Sequence, residues 1–201
     1  MHTQPNIPQR SFLGYVERFG ALQKTGATLA MHRRKWGKAA RAKELVQEDT
    51  LNTLTLEQAD ELYRCLPVSQ RGRPVFLSNP LQEIRECLWF LLYEQIMYEI
   101  RVYEFLDEMG GYRLKGGDQS LAAAMLCTKD PDLYGPISSH TAKGLKLLGM
   151  YPTFDKNESQ AGRFQKVQET LYYLFRLVGL NDLRDTDDFL EALARDMLKP
   201  I

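Results

Sequence analysis

Asn79-Pro80-Leu81-Gln82-Glu83-Ile84-Arg85-Glu86-Cys87-Leu88-Trp89-Phe90-Leu91-Leu92-Tyr93 reads as a helix from its first turn. Proline at the first helical position loses nothing, because that amide has no intrahelical acceptor, and the asparagine before it can accept from a free amide. Leu81, Ile84, Leu88, Leu91 and Leu92, with Trp89, Phe90 and Tyr93, leave the helix apolar on nearly all sides. A helix of that kind has to lie inside a core, and it is expected to be the central one. It is not a membrane span, since its unbroken apolar run from Cys87 to Tyr93 lies between Glu86 and Glu94, far short of about 18 residues.

Working outward, the same periodicity recurs in every direction. Toward the C-terminus, Ile100, Tyr103, Phe105 and Leu106 continue into a second helix that Gly110 and Gly111 stop. Short helices are expected at Gln119 to Cys127 and Ser139 to Leu148, with Ser138 or Ser139 as the cap of the latter. A longer one runs from about Ser159 to Val178, closed by Gly179, and an acidic one from about Asp185 to Leu198, capped by Asp185. Toward the N-terminus, Thr55 and Gln58 form a capping-box pattern ahead of Leu56, Ala59, Leu62 and Tyr63. Ser69 to Asn79 is a loop with a short extended stretch at Val75 to Leu77. Ala30 to Gln47 is one helix of few aliphatic anchors, and Phe12, Tyr15, Val16, Phe19 and Leu22 mark another that Gly26 breaks. Residues 1 to 10 form a loose tail. No alternating β-branched run and no repeat is present. The expected fold is all-α, a compact array of short helices, with residues 1–50 as an N-terminal helical extension and 51–201 as the core domain.

Composition agrees with this. A 201-residue chain that is 44% apolar with 14 Gly and 9 Pro is neither disordered nor collagen-like. Cys65, Cys87 and Cys127 form no CxxC pair and lie near no histidine cluster, so they are read as buried thiols of a cytoplasmic protein. The N-terminus lacks the apolar core of a signal peptide. No metal or cofactor is expected: Asp130-Pro131-Asp132 has no supporting histidine and is read as a turn.

Lys and Arg together number 26 and Asp and Glu 26, so any polyanion contact must be local. Positive charge is concentrated in Arg33, Arg34, Lys35, Lys38, Arg41 and Lys43, beside His32 and Trp36. On one continuous helix, Arg34, Lys38 and Arg41 share a stripe that can follow a phosphate backbone, with Trp36 placed to stack on a base. The alternatives are a solvated face, or a charge match, within the chain or between copies, with the acidic set Asp182, Asp185, Asp187, Asp188, Glu191 and Asp196.

A second signal is Leu114-Lys115-Gly116-Gly117-Asp118-Gln119-Ser120, running into Leu121-Ala122-Ala123-Ala124. Two glycines ahead of an Ala-rich helix make a tight turn whose amides suit a phosphate oxygen. From Leu114 to Gly149 the chain resembles the helix-hairpin-helix DNA glycosylases of the endonuclease III type. Leu114 and Gly116 stand where that family has its hairpin leucine and first glycine, and Asp118 where it has the second glycine. Leu148-Gly149 stands at the closing leucine and glycine, and His140 at a commonly basic position. The resemblance implies a DNA-binding helical domain with Lys115, Gly116, Gly117, Gln119, Ser120, His140 and Lys143 near the nucleic acid. It departs at the chemistry: Ser120 stands at the catalytic lysine and Ser138 at the catalytic aspartate, and neither can form a Schiff base or stabilise an oxocarbenium centre. The iron–sulfur cysteines have no counterpart. A vaguer similarity, from Leu56 to Tyr151, is to helical modules of bacterial restriction and phage-defence proteins. The expected function is nucleic-acid binding, most readily DNA, without catalysis. The alternatives are a protein-interaction subunit of a prokaryotic defence or phage system, a homo-oligomer included, and a glycosylase-like enzyme with non-standard catalytic residues.

Overall fold

The computed structural model describes residues 4–199; the first three residues of the expected N-terminal tail lie outside them. The described residues are helical with no strand. In chain order the helices are α1 (Gln9–Lys24), α2 (Leu29–Trp36), α3 (Ala39–Leu45), α4 (Glu48–Asn52), α5 (Leu56–Cys65), α6 (Arg73–Phe76), α7 (Leu81–Tyr93), α8 (Tyr98–Leu106), α9 (Gln119–Lys129), α10 (Ser139–Leu147), α11 (Gln160–Val178) and α12 (Leu183–Ala194). The all-α fold is as expected, and none of these helices is long and apolar enough to cross a membrane.

Two apolar cores organise the array. The first joins α3, α5, α7, α8 and α9 through Leu45, Leu62, Leu88, Leu91, Phe105 and Met125, with Phe164 of α11 closing it. The second joins α1, α10, α11 and α12 through Phe12, Phe19, Leu145, Leu174, Phe189 and Leu190. The first fifty residues are therefore not packed as an extension: α1 and Met31 of α2 belong to the second core, while Ala42 to Leu51 belong to the first.

Several local expectations change. The central helix is α9, buried at every residue from Leu121 to Thr128, because three consecutive alanines let neighbours close around it. The first helix of the quoted stretch, α7, buries Ile84, Leu88 and Leu91 but turns Gln82, Glu83 and Glu86 outward. The residues expected to be extended, Val75 to Leu77, form the end of α6. The acidic helix starts earlier than expected: Asp182, not Asp185, caps it by accepting from the amides of Arg184 and Asp185. Met197, within the expected range of that helix, lies beyond its end and is 39% exposed. The Thr55–Gln58 capping box forms as read, and Ser138 caps α10. At Gly144 a Cβ would stand 2.9 Å from the Leu190 carbonyl oxygen, so the glycine is what allows α10 to lie against α12.

Candidate functional site

The expected basic helix is two helices. Lys38 leaves helical geometry (φ −111°, ψ 13°) and divides α2 from α3, so Arg34, Lys38 and Arg41 do not form one stripe. The division lets Trp36 turn inward, where it is 6% exposed and unable to stack on a base. Its neighbours dock on α12. Lys35 Nζ lies 2.5 Å from an Asp187 oxygen, 2.6 Å from one of Asp188 and 3.0 Å from one of Glu191. Arg34 and Arg195 also bind Glu191, and His32 Nδ1 lies 2.5 Å from Asp188.

The three acids are 4%, 2% and 0% exposed, and uncompensated charges so deep would be strongly unfavourable. Burial pushes the Asp187 carboxyl up to about 6 against the opposing pull of Lys35. At Glu191 burial acts the same way, but hydrogen bonds from Arg34 and Lys35 overcome it and hold the carboxyl below its usual range. The charges of Asp187 and Asp188 likewise outweigh burial at Lys35 and raise its ammonium. His140, placed with the nucleic-acid residues by the resemblance, lies 3.9 Å from Glu191. Burial, aided by Arg195, Lys35 and Arg34, lowers its imidazole pKa despite that carboxylate. Arg41 is bound by Glu61 and Glu44 on the other side of the break. Arg33, Lys38 and Lys43 face solvent. His32, Asp185 and Asp188 bring ligand atoms within 4.8 Å of one another, but the Lys35 ammonium against Asp188 makes this corner part of the ion network.

Two of the hairpin amides, those of Lys115 and Gly117, are engaged. Asn79 accepts from the Lys115 amide (2.9 Å) and donates to the Lys115 carbonyl (2.9 Å). The Gly117 amide donates to the Leu114 carbonyl, and the Leu121 amide to the Asp118 carboxylate. Gly116 adopts φ +77°, and a Cβ there would stand 3.2 Å from the Phe76 amide nitrogen. The glycine is thus required by a turn pressed onto α6. Lys143 donates to the Ala194 carbonyl and Gln119 to Gln160, so both tie helices together.

What the hairpin does border is a cavity of about 670 Å³. Gly117, Asp118, Gln119 and Ser120 line it at the start of α9, Ile137 and Ser138 at the start of α10, and Glu158, Ser159 and Gln160 at the start of α11. Tyr103, Leu106, Asp107, Glu108, Met109 and Arg113 form the wall descending from α8. Ser120 and Ser138, which the resemblance sets at one catalytic centre, share this cavity. The three helix starts carry their own caps: Asp118, Ser138 and Ser159, with Asp107 accepting from the Gln160 and Ala161 amides at 2.9 Å each. These caps take up the Leu121 amide at α9, the His140 and Thr141 amides at α10 and the Gln160, Ala161 and Gly162 amides at α11. Asp107, Glu108, Asp118 and Glu158 face Arg113, so the lining is acidic on balance. The α8 wall was not singled out from sequence; the exposed Met109 next to Glu108, just ahead of the glycine stop, was the available signal.

Comparison with family models, with curated proteins and with solved structures finds no match, and the reading of this site rests on its own chemistry.

Proposed function

We propose that this chain is a protein-interaction subunit without catalytic activity, whose partner meets it at the cavity between α8, α9 and α11. The observation that carries this reading is the fate of the positive charge. Lys35 and Arg34 neutralise buried acids of the same chain, and an acidic and apolar recess stands open elsewhere on the molecule. Phosphate backbones are repelled by such a lining, whereas protein segments with complementary charge are drawn to it. Ser120 and Ser138 sit in the recess without an imidazole or amine among its lining residues, so no activated nucleophile supports an enzymatic reading. A nucleic-acid role keeps one supporting observation, the exposure of Arg33, Lys38 and Lys43.

The two readings separate in a titration of labelled single- and double-stranded DNA and RNA at about 50 and 200 mM salt. No saturable binding is expected at either salt. Binding that weakens steeply with salt, and that is abolished by Arg33→Glu, Lys38→Glu and Lys43→Glu together, would put the nucleic-acid reading in place of the interaction one.

A further inference from the structure

The outer face of α8 carries a strip of exposed apolar side chains. Ile100 and Tyr103 stand about one turn apart and are exposed, with Ile96 and Met97 just ahead of them. Tyr103 also lines the cavity described above, as does Met109, which is 85% exposed. The apolar strip therefore leads directly into the recess. Clustered exposed apolar side chains rimmed by charge are a feature of protein contact sites. Its rim is acidic: Glu99 flanks the strip, and Glu108 and Asp118 stand at the cavity as exposed carboxylates. Glu158 is neutralised by Lys166, and Glu104 binds the Gly111 amide. Arg113 is the basic residue among the cavity lining.

We infer that this face receives a basic amphipathic helix of a partner protein, an inference that rests on the interaction reading above. Charge complementarity selects the occupant. Lysines or arginines along the edges of such a helix would meet Glu99, Glu108 and Asp118, while its apolar face covers Ile100 and Tyr103. The cavity, within the roughly 300–1,000 Å³ of ordinary binding pockets, has room for anchoring side chains but not for the helix itself. The helix thus lies along α8 and inserts its anchors beside Met109. Methionine suits that position, since its unbranched, polarisable side chain repacks around different anchors.

The probe is a dye-labelled synthetic helix of leucine on one face and lysine on the other, titrated with the full chain at the same two salt concentrations. A matching helix with glutamate for lysine is the control. The lysine helix is expected to bind, less tightly at higher salt, and the glutamate helix not to bind. Ile100→Asp and Glu108→Lys should each weaken binding by roughly tenfold or more, with circular dichroism confirming the fold. Leu177→Asp, at an exposed apolar residue of α11, should leave it unchanged. Equal affinity for the two helices overturns the inference, as does undiminished affinity in both Ile100→Asp and Glu108→Lys. Self-association of the chain that Ile100→Asp abolishes would also overturn it, naming a second copy as the occupant. Salt-sensitive nucleic-acid binding would overturn the interaction reading as well; its absence, together with failure of the lysine helix, overturns the partner's chemistry alone.

Discussion

The Asn79 side chain makes three hydrogen bonds from a position 5% exposed, one to the Phe76 carbonyl and two to the backbone of Lys115. It fastens the hairpin to the end of α6. Asn79→Ala removes both bonds to the partly buried backbone of Lys115 and is expected to cost about 1–2 kcal/mol in urea unfolding; a loss under about 0.5 kcal/mol would mean that the turn holds itself. The sequence marks this asparagine as special through the proline after it, but its bond to residue 115 spans a separation that no local pattern encodes. Asp187 gives a second expectation at this scale. Its folded carboxyl, raised by burial to about 6, binds a proton more readily than in the unfolded chain. Its contribution to stability is therefore largest below its ordinary range and is lost as pH rises through about 6. The difference in melting temperature between wild type and Asp187→Asn should accordingly move in favour of the variant between about pH 5 and 7.5. A constant difference across that interval would contradict the assigned environment.

Among elements, the helices with strong local punctuation are legible in sequence and those shaped by docking are not. The capping box at Thr55, the Ser138 cap and the Gly179 stop each satisfy backbone groups within a few residues. The break between α2 and α3 has no such mark, because Ala30 to Gln47 is rich in helix formers throughout. It exists because Met31 and Trp36 are buried on one side of it and Ala42 and Leu45 on the other, and these belong to packing surfaces that one straight helix does not serve. The same demand explains α12. Sequence offers its acids as one alternative partner for the basic stretch, and the structure pairs them within the chain; what sequence does not give is their depth, since Asp187, Asp188 and Glu191 are buried where Lys35 meets them, more than 150 residues away in sequence. The hairpin glycines are legible as a turn; that Asn79, Leu114 and Asp118 take up the Lys115, Gly117 and Leu121 amides is not.

For the molecule as a whole, charge is segregated along the sequence and recombined in space. Residues of α2 carry positive charge that α12 receives, and the cavity at the starts of α9, α10 and α11 is left acidic. Of the candidate site, the sequence reveals the α9 side, from Gly117 to Ser120, because its turn chemistry is local. The α8 wall and the α11 cap become neighbours through the fold alone. The central claim, that Lys35 of α2 serves an interior ion network with α12, is most directly tested by a double-mutant cycle of Lys35→Met and Asp187→Asn, read by denaturant unfolding near neutral pH. A coupling energy above about 1.5 kcal/mol is expected for a buried, mutually satisfied pair. Coupling below about 0.5 kcal/mol, the level of a solvent-exposed pair, would contradict it.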